Sequence, residues 1–397
     1  MISQKMIRLA GNSSAIRAMF EEGNRLAALY GRENVYDFSL GNPNFPAPAS
    51  VTKAALDILQ NTDPVYLHGY MSNAGYPEAR EAIAASLNRR FGTSFTAANV
   101  IMTVGAAGSL NIVLKTLLNP GDEVIAIAPY FVEYGNYVDN YDGVLKVVRA
   151  REDFQIDPEA VAAAVTEKTK AVIINTPNNP TGVIYSAETL RALGDALERK
   201  QKEYGTSIWL ISDEPYRELA YDGADVPWVT GIVRNSIVCY SWSKSLSLPG
   251  ERIGYAVVPS ECDESELILT ALSIANRVSG CVNAPSLFQL VAARCADETT
   301  DLSGYDGNRR LLYNGLTDAG FECVFPQGAF YIWMKTPEPD DKAFVARAKN
   351  YNILVVPGTS FAWPGYVRIA YCVARETIER SLPGFRKLAQ EYGLTEK

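Results

Sequence analysis

The sequence predicts an α/β fold: a large domain with a mainly parallel sheet covered by helices on both faces, plus a smaller α+β domain. Three observations predict it. Between Asn99 and Pro259, short apolar runs alternate with helical stretches. Near residue 285 that alternation gives way to mixed helices and short strands. The chain's 397 residues are too many for one simple core and suit a large domain joined to a smaller one.

Taken in order, "NVIMTV" (99–104) reads as a strand, "GAAG" as a turn and "SLNIVLKTLL" as the helix after it. "DEVIAIAP", bounded by Gly121 and Pro129, is the next strand. "KAVIINTP", "SIWLISDEP", "SIVCYSWS" and "RIGYAVVP" repeat the theme, and "SAETLRALGDALERKQKEYG" is a helix among them. Runs that stay apolar, without alternation, mark strands buried on both faces. Crossovers between them are right-handed. Beyond 285, "SLFQLVAARCAD" and "NRRLLYNGLTDAG" read as helices and "ECVFPQGAFYIWMK" as strand-rich around Gly328. A helix in "DKAFVARAKNYN", strands in "ILVVPG" and "YVRIAYCV", and a last helix follow. Pro383-Gly384 is expected to kink or split that last helix.

A hydrophobic content of 47% with 21% charged residues is ordinary for a soluble globular protein. The net charge of −8 disfavours general binding to nucleic acid or to anionic membrane. Six cysteines (Cys239, Cys262, Cys281, Cys295, Cys323, Cys372) form no CxxC pair, so buried free thiols in a reducing compartment are expected. With no apolar leader and no run of membrane-spanning length, the expectation is a cytoplasmic enzyme. The single histidine, His68, argues against histidine-based metal sites, and any acid/base group is expected elsewhere. No metal is expected.

Several motifs carry chemistry. Gly105 and Gly108 lie between a strand and a helix, where exposed amides suit a phosphate, although such turns also occur without a ligand. "NTPNNPTG" (175–182) is a specified turn at the carboxyl end of a strand, where such folds bind ligands. Asp213 and Tyr216 close the run "SIWLI"; a carboxylate there must be paired, solvated or used as a helix cap. Lys244, in "SWSKSLSLPGERIGY", follows the apolar run Ile237-Val238-Cys239-Tyr240. Desolvation disfavours its charged form, and a neutral amine attacks aldehydes. Arg252 lies eight residues on and suits an anion; the plain alternative is two separate surface cations.

In chain order, "NNPTG", "SDEPY" and "SxSKSxxxPGxRxGY" resemble the fold-type I pyridoxal-phosphate enzymes, specifically the aspartate aminotransferase-like class I/II aminotransferases. The resemblance runs from "FSLGNPNF" to "YVRIAYCV". It implies a seven-stranded sheet in the large domain and a small domain formed by the N- and C-terminal segments. Residues 1–44 would be the N-terminal arm and part of the small domain, 45–285 the cofactor-binding domain and 286–397 the small C-terminal domain.

The resemblance also implies roles. Lys244 would carry pyridoxal 5'-phosphate as a Schiff base and shuttle a proton, with Asp213 and Tyr216 as its catalytic companions. Asp213 would pair with the ring nitrogen, Asn179 and Tyr216 with the ring's O3′, and Phe131 would stack on the ring. The amides of Ala106 and Ala107 after Gly105, the hydroxyls of Ser241 and Ser243, and Arg252 would hold the phosphate. Tyr70 would reach the phosphate of a neighbouring subunit, which implies a homodimer. Arg368 and Gly41 would bind the substrate α-carboxylate beside Asn179, and Asn175 would reach the substrate too.

There are departures from the family pattern. Ala107 stands where one aspartate-specific branch has a lysine, and His68, expected near Tyr70 at the substrate entrance, is not a family-wide feature. Side-chain selectivity is expected from Met71, Tyr331 and the "SFAWPGY" loop. The expected reaction moves an amino group from an L-amino acid to a 2-oxo acid. A carbon–sulfur β-lyase or β-decarboxylase shares the motifs and stays open as the alternative. A ligand-sensing regulator is remote, since the negative charge disfavours DNA.

Overall fold

The computed structural model describes residues 2–11 and 15–394. The N-terminal segment forms α1 (Gln4–Gly11), α2 (Ala15–Tyr30) and the short strand β1 (Tyr36–Asp37), followed by α3 (Ala49–Asn61), α4 (Pro64–His68) and α5 (Pro77–Phe91). The central run is β2 (Val100–Thr103), α6 (Gly105–Leu117), β3 (Glu123–Ala128), α7 (Tyr134–Asp139), β4 (Val144–Arg149), α8 (Pro158–Ala164) and β5 (Thr169–Asn175). It continues with α9 (Ala187–Tyr204), β6 (Trp209–Asp213), β7 (Ser236–Ser241), α10 (Trp242–Ser245) and β8 (Gly254–Val257). Helices α11 (Ser265–Val278), α12 (Ser286–Arg294) and α13 (Ser303–Asp318) lead to β9 (Cys323–Val324), β10 (Tyr331–Lys335) and α14 (Asp341–Ala348). Strands β11 (Ile353–Leu354), β12 (Val356–Pro357) and β13 (Tyr366–Ala370) and helix α15 (Arg375–Glu391) complete the order.

The central strands form one seven-stranded sheet in the order β2-β8-β7-β6-β5-β3-β4. Its pairings are parallel except at β8, which runs antiparallel to both β2 and β7. Alternate residues of one strand feed opposite cores. Val124 and Ala126 pack with Leu110, Val113 and Leu272, whereas Ile125 and Ile127 pack with Val161, Leu190 and Leu193. Helices α6 and α11 therefore cover one face and α8 and α9 the other, which is why the strands read as unbroken apolar runs. A four-stranded antiparallel sheet, β12-β13-β10-β9, builds the second core with α13, α14 and α15. Phe38 from the N-terminal segment is buried in that same core. Helix α12 packs on α3 and α5, beside Val51, Ile58 and Ile83.

Three local expectations are corrected. "GAAG" is the first turn of α6 rather than a separate turn; Gly105, at φ +79°, starts the helix directly after β2. Strand β4 was not read because Lys146 splits its apolar residues into Val144-Leu145 and Val147-Val148; it is a sheet edge where Val144 and Val147 stay exposed. Helix α15 runs through Pro383 without splitting. Its buried face (Ile378, Ser381, Phe385, Leu388) continues across the proline, and that packing outweighs one missing backbone bond. The cysteines are all free; four are buried, but Cys281 is exposed and Cys323 only partly covered. Among the described residues no helix is long and apolar enough to cross a membrane.

Candidate active site

A cavity of about 280 Å³ opens where β5, β6 and β7 end and α6 begins. This is the carboxyl edge of the parallel strands, where such sheets bind ligands. Of the expected site residues, Gly41, Ala106, Ala107, Phe131, Asn179 and Asp213 line it. So do Tyr216, Ser241, Ser243, Lys244, Arg252 and Arg368. Two expected residues do not line it. Gly105 sits just behind the wall, where an added Cβ would lie 2.7 Å from Arg252 Nη2. Tyr70 is 93% exposed on this chain's surface.

One end of the cavity is built for an anion. The register of β2, β8 and β7 puts Thr103 and Ser241 on either side of Gly254. A Cβ on Gly254 would lie 2.3 Å from the Tyr240 carbonyl oxygen and 2.9 Å from Gly105 Cα, so only glycine allows this close approach. Arg252, at φ +52°, donates from Nη1 to the Pro249 carbonyl (2.9 Å) and from Nη2 to the Val104 carbonyl (3.2 Å). That holds its guanidinium at the amino end of α6. The Ser241 and Ser243 hydroxyls lie 2.6 Å apart beside it.

The middle holds Asp213 and Lys244. Asp213 is buried; its Oδ2 accepts a 2.7 Å bond from the Tyr134 hydroxyl, and its Oδ1 has no partner. Burial pushes its carboxyl up to about 7, although the Tyr134 bond pulls the other way. Asn175 donates to the Asp213 carbonyl (2.7 Å) and accepts from the Asn179 amide (2.7 Å). Asn175 thus holds the turn while it also lines the cavity. Lys244 lies on α10 and donates to the Gly41 carbonyl at 2.6 Å. Burial lowers its ammonium to about 8, with the Arg368 and Arg252 charges adding to the effect.

The far end carries Arg368, 1% exposed. Its Nη1 donates to Asn179 Oδ1 (3.0 Å), its Nη2 to the Ser39 carbonyl (2.5 Å), and its Nε has no partner. The guanidinium lies 4.4 Å from the Tyr331 ring and 5.0 Å from Phe361. Sequence reasoning missed Tyr134 and Tyr137 and gave Tyr331 only a loose place. Nothing in "PYFVEYGNY" announces that Tyr134 turns inward to a carboxylate on another strand. His68 is exposed, and neither it nor Met71 lines this chain's cavity.

Residues 33–383 match the family of class I and II aminotransferases. The chain belongs to this family. It is 34% identical over 354 residues to the aspartate/prephenate aminotransferase of Thermus thermophilus, covering 88% of this chain and 89% of that one. It is 33% identical over 355 residues to a probable aspartate aminotransferase of Methanocaldococcus jannaschii, covering 87% and 91%. An aminotransferase crystal structure from Eubacterium rectale superposes with a TM-score of 0.96 at 48% identity, covering 99% of each chain. The aspartate aminotransferase of T. thermophilus with maleate superposes at 0.85 with 30% identity, covering 98% of this chain and all of that one.

Class I and II aminotransferases depend on pyridoxal phosphate, and this chain is accordingly a pyridoxal-phosphate-dependent aminotransferase. The residues present fit that cofactor. The unpartnered, buried Asp213 Oδ1 suits a ring N–H, the serine–arginine end suits a phosphate, and a lysine that loses its proton near pH 8 suits an aldehyde.

Proposed function

We propose that the chain transfers an amino group between an α-amino acid and a 2-oxo acid in this one cavity, with Lys244 as the residue that carries the reaction. The observation behind this is the pairing of a buried lysine of depressed basicity with a buried carboxylate that keeps one oxygen free. When bound, pyridoxal phosphate supplies an electron-withdrawing ring for the charge that develops at the substrate's α-carbon.

The chain's residues do the rest. The α6 amides of Ala106 and Ala107, the Ser241 and Ser243 hydroxyls and Arg252 bind the phosphate. Asp213 would hold a proton on the ring nitrogen, and Phe131 would pack on the ring. Asn179 and Tyr216 would donate to the ring oxygen. Arg368, with the Gly41 backbone, orients the substrate carboxylate. Lys244 moves the proton at the substrate's α-carbon. Its amine is half neutral near pH 8 instead of near 10.5, so its reactivity toward an aldehyde rises through about pH 8.

The relatives named for aspartate act on a substrate with two carboxylates. The cations lining this cavity are Lys244, Arg252 and Arg368, and each already has an assignment. Ala107 adds none, so selectivity for a second carboxylate falls to residues outside this chain's own cavity. A panel of amino donors against 2-oxoglutarate and pyruvate measures that selectivity.

The chain is proposed to work as a homodimer in the cytoplasm, with Tyr70 reaching the neighbouring site. Exposed apolar side chains on α3, α4 and α11 (Leu56, Leu59, Val65, Leu267, Ile274, Val278) support a subunit interface. The six unpaired cysteines support a reducing compartment. The proposed units are residues 45–285 around the large sheet and 286–397 with the arm 1–44 around the small one, α12 at the junction packing back on α3 and α5.

The deciding experiment uses borohydride on the cofactor-loaded protein. The cofactor is expected to become fixed on Lys244, and Lys244→Ala is expected to lose transamination by roughly 10⁴-fold. A Lys244→Ala protein that transaminates at the wild-type rate ends this reading.

A further inference from the structure

Tyr331 stands where three segments meet. It opens β10, in register with Ala370 of β13, and is 2% exposed. Its ring lies against the Arg368 guanidinium, 4.4 Å away, and its hydroxyl is 2.9 Å from the Tyr216 hydroxyl. On the third side is Gly41, where an added Cβ would come within 1.9 Å of the Tyr331 hydroxyl oxygen. Gly41 is therefore a glycine because the phenol occupies the place of its side chain.

Either hydroxyl of the Tyr216–Tyr331 pair can donate the shared hydrogen. Which one does so decides what Tyr216 offers to the cavity. Arg368 acts on both phenols, Cys372 on Tyr331 and Asp213 on Tyr216, while Lys244 reaches the Gly41 carbonyl on the side of the Tyr331 hydroxyl. Burial raises both phenols and the Arg368 cation opposes the rise in each, leaving Tyr331 at about 12. Tyr216 is raised well beyond its ordinary range, with Tyr331 and Asp213 both adding to the burial. The Arg368 guanidinium lies against the ring of Tyr331, and among the described residues the Tyr331 hydroxyl has the Tyr216 oxygen as its only hydrogen-bond partner, so the shared hydrogen is Tyr331's to give.

We propose that Tyr331 is a positioning residue: it donates its phenol hydrogen to Tyr216 Oη and so leaves Tyr216's own hydrogen for the cofactor's ring oxygen. Arg368, which orients the substrate carboxylate, thereby also sets the direction of a hydrogen bond on the cofactor side. The proposal rests on the reading of Tyr216 as the contact to that ring oxygen.

The test titrates the visible absorption of cofactor-loaded wild type, Tyr331→Phe, Tyr216→Phe and the double variant across the neutral pH range. Losing a donor to the ring oxygen removes support from its anionic form, so the midpoint moves up. Tyr331→Phe is expected to raise it by roughly half a pH unit, Tyr216→Phe by more, and Tyr331→Phe to add nothing once Tyr216 is phenylalanine. If Tyr216→Phe leaves the midpoint in place, the reading of Tyr216 itself fails and takes the proposal with it. If Tyr216→Phe shifts it while Tyr331→Phe does not, or does so equally in both backgrounds, the proposal alone is overturned. Should Tyr331→Phe not fold, Gly41→Ala crowds the same hydroxyl from the other side. It is expected to raise the midpoint likewise, and an unmoved midpoint there overturns the proposal.

Discussion

Asp213 and Glu214 are neighbours at the end of β6, and both are buried, yet their surroundings are opposite. Glu214 faces away from the cavity and is fully satisfied. It accepts from Arg217 Nε at 2.5 Å and from the Ser212 hydroxyl at 2.7 Å. Arg217 spends its remaining nitrogens on the Val226 and Pro227 carbonyls. Asp213 faces the cavity with one tyrosine bond and one bare oxygen. A buried carboxylate that is completely paired is architecture; one left half-paired at the cost of stability is there for a ligand.

That contrast can be broken by experiment. Asp213→Asn should lower transamination by roughly 10³-fold with the fold intact, as read by kcat/KM and circular dichroism. Activity near wild type would remove Asp213 from the chemistry. Glu214→Gln should do the reverse: kcat and KM stay near wild type while chemical denaturation shows a loss of about 3 kcal/mol, because Arg217 is left as an unpaired buried charge. If both variants lose activity alike, the distinction collapses.

Tyr134→Phe sharpens the comparison by removing the one bond Asp213 has. Cofactor dissociation, followed by absorbance, should become roughly tenfold easier, and no change would make Tyr134 a packing residue only. The smallest effect concerns pH. In the folded, cofactor-free protein the Asp213 carboxyl is raised to about 7, so its contribution to stability is present at low pH and is lost as pH rises through 7. Cofactor-free Asp213→Asn should therefore melt a few degrees above wild type at pH 8, with the gap closing as pH falls below 7. A gap that widens on acidification contradicts the assignment.

The same pair shows what the sequence made legible. Asp213 and Lys244 each end or follow an unbroken apolar run, and "SDEPY" and "SWSKS" sit at fixed places relative to the strands, so the large sheet and the gathering of these residues at its carboxyl edge were readable. The partners that decide their behaviour were not. Tyr134 reaches Asp213 from α7, the Val226 and Pro227 carbonyls come back to satisfy Arg217, and Tyr331 meets Tyr216 from another sheet. Those contacts depend on packing between distant segments and leave no local pattern. Strand β4 was missed because Lys146 interrupts its apolar residues, a break that an edge strand with exposed Val144 and Val147 tolerates.

The sheet order has one more consequence, which concerns how the molecule is made. Strand β8 lies between β2 and β7, so the anion cradle joins the first turn of α6 to Ser241 and Arg252, far later in the chain. Synthesis delivers these parts in that order and at a distance. A growing chain that has released β2 through β6 already has most of a sheet, but β2 has no neighbour until β8 arrives to pair with it. Completion of this end of the cavity is therefore among the last things a nascent chain can do. Once β8 is in place, the first strand of the sheet is tied to the last.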